Sequence, residues 1–165
     1  MNDFAPYESK IVSRENIKKH VAKLKAEGKR IASLNGSFDL LHAGHLAIIF
    51  EAKAQADILV MALNSDLSIK QYKSPDRPII PLLYRMQMVA ALMAVDVVTS
   101  FDETTPHEIL KCIHPDVHVN GDEYGENCIE APLVRELGAR LHIVKKKPGL
   151  STTAIIQKIQ TLCAI

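Results

Sequence analysis

The sequence predicts an α/β fold: a Rossmann-like, doubly wound, five-stranded parallel sheet with helices on both faces. Two observations carry this. Short apolar runs such as ILVMAL at 58–63 and VDVV at 95–98 are nearly continuous rather than alternating, the pattern of strands buried on both faces. Between them lie amphipathic stretches of helical period, so strand and helix alternate along the chain as βαβ units require. A length of 165 residues suits a single domain with a core of its own.

The elements follow in order. Residues 14–27, RENIKKHVAKLKAE, place Ile17, Val21 and Leu24 on one helical face, with Ser13 as cap and Gly28 as stop. This helical lead-in occupies residues 1–28. RIASL at 30–34 is the first strand, and residues 43–56 form a helix. Asp57 leads into ILVMAL, the second strand, which ends at Asn64-Ser65-Asp66. The polar, proline-bearing 65–80 stretch reads as a long loop, or a short helix and then a loop. PLLYRMQMVAALMA at 81–94 is a helix with proline in its first turn. VDVVTSF at 95–101 is a strand, and Thr104 to Ile113 a helix with Pro106 in its first turn. DVHVN at 116–120 is a strand ending at Gly121, APLVRELG at 131–138 a helix stopped by glycine, and RLHIVK at 140–145 the last strand. Ser151 to Leu162 closes the chain as a helix.

Composition narrows the function. A net charge of +1 gives no broad field for nucleic acid or an anionic membrane, and the Lys145-Lys146-Lys147 run reads as a solvated face. Cys112, Cys128 and Cys163 are far apart, without CxxC or finger spacing, which fits reduced thiols in a cytoplasmic protein. MNDFAPYESK has no signal-peptide pattern, and no apolar run nears the roughly 20 residues of a membrane span. The expectation is a soluble cytoplasmic protein with no nucleic-acid or membrane partner.

The chemistry concentrates at GSFDLLHAGH, residues 36–45, in the turn from the first strand to the following helix. Ligands of doubly wound sheets bind at the carboxyl ends of the strands. Gly36 and Gly44 allow close backbone approach. A helix N-terminus offers N–H groups and a positive dipole end to phosphate, and His42 and His45 add imidazole donors. Spacing alone leaves both phosphate binding and metal ligation open, although the metalloprotease pattern, with a spacing of four and a glutamate, is absent.

LNGSFDLLHAGH resembles the HxGH motif of the nucleotidyltransferase superfamily, in its cytidylyltransferase-like branch. ALNSD (62–66), KSPDRPI (73–79), PLLYRMQMVAAL (81–92), VDVVTSFDETTP (95–106), PDVHVNGDEY (115–124) and GLSTTAIIQKI (149–159) follow in the expected order. Together they resemble the adenylyltransferase domain of ADP-heptose synthases, the RfaE C-terminal type. The resemblance covers almost the whole chain and implies a reaction: ATP and D-glycero-β-D-manno-heptose 1-phosphate give ADP-heptose and pyrophosphate. It implies Mg2+ bridging the ATP phosphates, with no dedicated protein metal site, and a homodimer. Bifunctional members carry a sugar kinase domain ahead of this one. Here the expectation is one nucleotidyltransferase domain over 1–165 and a separate kinase upstream in the pathway.

The resemblance also assigns residues. His42, His45 and Lys73 are the catalytic candidates, with the histidines on the ATP phosphates. Asn35, Gly36, Ser37, Phe38 and Gly44 form the nucleotide loop, joined by Asn120, Gly121 and Asp122 and by Ser151, Thr152 and Thr153 at the terminal helix. Asp39, Lys73, Arg77 and Arg85 are candidates for substrate contact. For Asp39 a brace of the turn is an equal reading, and for Arg85 a salt bridge is. Departures from the family pattern are Ser37 for the commoner cysteine, Leu83 for a glutamate, and Asn120-Gly121-Asp122-Glu123 for lysine-glycine-glycine-aspartate. The last leaves open a CTP-using enzyme acting on a polyol or amino-alcohol phosphate. A non-catalytic nucleotide-binding module is the remaining alternative.

Overall fold

The computed structural model describes residues 6–145 and 151–163. Residues 1–5 of the lead-in, Lys146 and Lys147 of the basic run, and Gly149 and Leu150 of the GLSTT segment lie outside them. After a single 3-10 turn come α1 (Arg14–Ala26), β1 (Ile31–Gly36), α2 (Ala43–Lys53), β2 (Ile58–Asn64), α3 (Asp66–Tyr72) and α4 (Leu82–Ala90). They are followed by β3 (Val97–Phe101), α5 (His107–Ile113), β4 (Val117–Gly121), α6 (Ala131–Glu136), β5 (Arg140–Val144) and α7 (Thr152–Cys163). The five strands form one sheet, all parallel, in the order β3-β2-β1-β4-β5.

Both faces are covered, as the apolar runs require. Leu34, Leu59, Met61, Val98 and Val119 pack with Ile49 and Ala52 of α2 and Val89 and Ala90 of α4. On the other face Ile31, Val60, Val97 and Phe101 meet Ile17 and Val21 of α1 and Ile109 and Ile113 of α5. Sequence and structure differ mainly at ends. Pro81 and Pro106 stand just before their helices rather than inside the first turn. Residues 91–94 leave the helix in a tight turn, closed by Val95 N–H donating to the Leu92 carbonyl at 3.1 Å. Ser13 occupies the N-cap of α1, yet its hydroxyl accepts from the Asn16 side chain at 3.1 Å and bonds no helix N–H. Gly28 and Gly138 end α1 and α6 at φ +79° and +69°, the left-handed conformation that suits glycine.

One polar pair interrupts the second face. His118 on β4 is fully buried, with Nδ1 2.8 Å from the Ser33 hydroxyl on β1. Burial pushes the imidazole pKa from 6.5 down to about 4, against the opposing pull of the Glu130 charge. The folded state therefore holds His118 neutral, and the unfolded chain binds the proton first as pH falls. Stability is fully present above pH 6.5 and is lost as pH drops toward 4. The loss expected between pH 7 and 5 is on the order of 2 kcal/mol. Urea unfolding at both pH values checks it: His118→Gln should flatten the dependence, and an unchanged dependence would remove His118 as its source.

Candidate active site at the carboxyl edge of the sheet

At the carboxyl ends of the strands lies a cavity of about 280 Å³. It forms because the sheet divides there. Pairing between β1 and β4 stops at Leu34↔Val119. Beyond that point β1 continues beside β2 to Gly36↔Leu63, and β4 beside β5 to Gly121↔Val144. The crevice opens at the switch in strand order, where ligands of this architecture sit.

The loop after β1 supplies one wall. Phe38 and Leu40 adopt φ of 48° and 50°, a conformation that costs non-glycine residues energy and clusters at working sites. A Cβ on Gly36 would stand 3.1 Å from the Phe38 ring, so glycine there makes room for the aromatic side chain. The loop ends at His42, the N-cap of α2. Its Nδ1 accepts from the N–H groups of Gly44 and His45 at 3.1 and 3.4 Å. This corrects the simple picture of a bare helix terminus, because His42 itself caps those two N–H groups. The cap also fixes the tautomer: an accepting Nδ1 leaves the proton on Nε2, which makes His42 a donor. The His45 ring stacks on His42 with centroids 3.8 Å apart and meets Phe38 at 5.4 Å. Both histidines line the cavity.

Lys73 follows α3 and reaches the same cavity. Its Nζ donates to the Ser37 hydroxyl at 2.8 Å, and that hydroxyl lies 2.9 Å from the Tyr72 hydroxyl. Burial first, and the Arg77 charge second, push the lysine pKa down. Ser37 is thus the seat of the lysine as well as part of the loop.

Asp39 is the hub beneath. It is only 1% exposed. Its carboxylate accepts from Ile79 N–H, Ile80 N–H and Arg77 Nε, each at 2.9 Å, and pairs with the Arg77 guanidinium at 2.6 Å. Burial by itself would raise the Asp39 pKa; these donors hold it below the ordinary value. Asp39 therefore braces the 73–80 segment, whose Arg77–Pro78 bond is cis. Two of the candidate substrate contacts are engaged within the protein, Arg85 in the salt bridge that is its other reading. Arg77 spends its charge on Asp39 and does not line the cavity. Arg85 is fully buried: it pairs with Asp66 at 2.7 Å and donates to the Ser37 and Ile80 carbonyls at 2.6 and 2.8 Å. Both arginines hold the loop from behind.

The far wall comes from the C-terminal half. Ser151 caps α7, accepting from Ala154 N–H at 3.1 Å. The Thr152 hydroxyl donates to the Asp39 carbonyl at 2.7 Å, tying the start of α7 to the histidine loop. Thr153 faces the cavity with them. Asn120 and Gly121 line it at the end of β4, whereas Asp122 does not; Glu123 and Tyr124 take that place in the turn. Lys145, read from the sequence as part of a solvated run, also lines it. So do Leu34, Ala47, Ile48 and Val144, an apolar lining suited to a flat ring. Ala47, Ile48, Val144, Tyr72 and the buried Glu130 carry no local motif, and Leu34 and Tyr124 are only the end residues of LNGSFDLLHAGH and PDVHVNGDEY; the fold brings them here.

Imidazole, ammonium and hydroxyl donors thus converge beside an apolar surface, an arrangement that fits an anion joined to a flat ring. Among the described residues no three of His, Cys, Asp and Glu converge as a metal site, so the paired histidines are not part of such a set. No helix among them is long and apolar enough to cross a membrane.

Comparison with known proteins agrees with the geometry. The cytidylyltransferase-like family pattern matches residues 33–158. The chain is 40% identical over 154 residues to the bifunctional protein HldE of Syntrophotalea carbinolica, covering 93% of this chain and 31% of that protein. It is 42% identical over 137 residues to HldE of Ectopseudomonas mendocina, covering 82% and 29%. The chain thus spans about a third of the length of these relatives. Among solved structures, a lipopolysaccharide core biosynthesis protein from Thermoplasma volcanium superposes with a TM-score of 0.58 at 26% identity, covering 73% of this chain and 98% of that one. A pantoate-β-alanine ligase from Francisella tularensis shares the fold, with a TM-score of 0.63 at 16% identity, covering 94% and 78%.

Proposed function

Because the chain belongs to the cytidylyltransferase-like family of nucleotidyltransferases, we propose that it transfers an adenylyl group from ATP to D-glycero-β-D-manno-heptose 1-phosphate. The products are ADP-heptose, a precursor of the lipopolysaccharide core, and pyrophosphate. The observation that carries this reading is the convergence of His42, His45, Lys73 and Thr153 on one cavity, in a chain 40% identical to a bifunctional HldE.

A phosphate oxygen of the sugar attacks the α-phosphorus in line. A new P–O bond forms, the bond to the bridging oxygen of the β-phosphate breaks, and that oxygen leaves with pyrophosphate. Such a transfer needs position and charge stabilisation more than covalent help. The Nε2–H of His42 and the ring of His45 stabilise the charge that grows on the phosphates. Lys73 neutralises the departing pyrophosphate, and the α7 terminus closes the site through Thr152 and Thr153. The apolar surface of Ile48 and Val144 takes the base. Mg2+ would arrive with ATP and supply positive charge between its phosphates, since this ion keeps several waters and is held largely by substrate phosphates.

A sugar kinase activity must supply the heptose phosphate. We assign the enzyme a homodimeric state, for which Leu83, Tyr84 and Met88 on the outer side of α4 leave apolar surface exposed.

One observation favours a second reading. The turn at the end of β4 presents Asn120 to the cavity, an amide where the pattern that the sequence resembles has a lysine. That suits CTP and a polyol phosphate. Pyrophosphate release measured for ATP and CTP, each with heptose 1-phosphate and glycerol 3-phosphate, separates the two. Turnover is expected with ATP and the heptose phosphate. Turnover confined to CTP and glycerol phosphate overturns the proposal, and nucleotide binding without turnover of any pair points to a non-catalytic module.

A further inference from the structure

We infer that Glu130 is a positioning residue that sets the width of the nucleotide crevice by bridging the split between β1 and β4. The inference rests on the reading of this cavity as the nucleotide site.

The split is where the sheet gives up its own hydrogen bonds, since the last β1–β4 partners are Leu34 and Val119. The next residues on each strand, Asn35 and Asn120, face the same side of the sheet as the Ser33–His118 pair. Backbone no longer joins them. Glu130 does: its Oε1 accepts from Asn35 Nδ2 at 3.4 Å, and its Oε2 accepts from Asn120 Nδ2 at 3.2 Å. The Asn120 Oδ1 in turn accepts from the Gly121 N–H at 3.0 Å. One carboxylate thus orients two side chains and, through Asn120, one main-chain amide on the cavity wall.

Two facts separate this from ordinary helix capping. Glu130 stands at the N-cap of α6, but its side chain makes no cap hydrogen bond. It is also 5% exposed and lies outside the cavity lining, so it acts through its neighbours rather than on the ligand. Burying a carboxyl is costly unless its oxygens are satisfied, and here both are committed to the residues that frame the crevice.

The chemistry predicts how Glu130→Gln fails. A carboxylate accepts on both oxygens; an amide accepts on one and donates on the other. Asn120 is held by Gly121, so the mismatch falls on Asn35, whose amide must turn over. In the nucleotide-free protein, the side-chain NH2 resonances of Asn35 should move more than those of any other asparagine on Glu130→Gln. That measurement needs no substrate, so its failure counts against Glu130 and not against the adenylyl-transfer reading. In the pyrophosphate assay, KM for the nucleotide should rise about tenfold with kcat within about threefold, smaller than the roughly hundredfold cost of a 1 Å misplacement. Glu130→Asp, which keeps two acceptors on a shorter arm, should recover part of that loss. Unmoved Asn35 resonances, or a fall in kcat with nucleotide KM unchanged, overturns the inference.

Discussion

Replacing His45 by alanine is expected to lower kcat by about 10²–10³-fold, the usual cost of removing one preorganised donor from a transition-state site. The nucleotide KM should change far less. The ring is held in place before substrate binds. It sits in the first turn of α2, stacked at 3.8 Å on the His42 ring and flanked by Phe38 at 5.4 Å. Its plane is fixed before substrate arrives, so no reorganisation is needed as charge develops on the phosphates. Interactions that strengthen only in the transition state appear in kcat, whereas uniform binding appears in KM. The fold should survive, because the truncated ring borders a cavity and leaves no void in the packed core. Steady-state kinetics by pyrophosphate release, with a thermal melt as control, checks all three expectations. Near-normal turnover in His45→Ala would show that the histidine is a packing partner of His42 and nothing more.

His42 carries a different burden. Its Nδ1 caps α2, so its loss combines a chemical effect with a structural one. That distinction is not legible in the sequence, where His45 reads as the main catalytic group but nothing marks His42 as a helix cap. Local pattern showed what local physics controls. Continuous apolar runs mark the four buried strands β1 to β4, and glycine at left-handed positions ends α1 and α6. The turn after the first strand reads as the ligand edge because doubly wound parallel sheets bind ligands there. What stayed hidden depends on distance along the chain. Arg85 reads equally as a phosphate contact or a salt bridge until Asp66 and the Ser37 carbonyl are brought to it. Arg77 reads as a ligand for phosphate until Asp39, a residue of the other loop, takes it. Glu130 has no motif at all, and only the split between β1 and β4 gives it a task.

The same long-range logic gives the second large effect. Lys73→Ala is expected to cut kcat/KM by about 10²-fold, as the site loses a cation aimed at a polyanion. Lysine here is more than a charge on a flexible stem. Ser37 holds its Nζ at 2.8 Å, and the Tyr72 ring lies 5.5 Å beneath. Ser37→Ala should therefore lower activity in the same direction by a smaller factor, because the charge remains while its seat is gone. The pH profile separates position from charge. Burial and the Arg77 guanidinium lower the Lys73 pKa, so the protonated form is lost, and kcat/KM falls, at a lower pH than for an ordinary lysine. Arginine does not deprotonate in this range. Lys73→Arg should thus lose activity at neutral pH, because a planar fork does not fit the Ser37 seat, yet its remaining activity should lack that alkaline fall. An alkaline limb that persists unchanged in Lys73→Arg would assign the titration to another group. It would leave Lys73 the role of a static counter-charge.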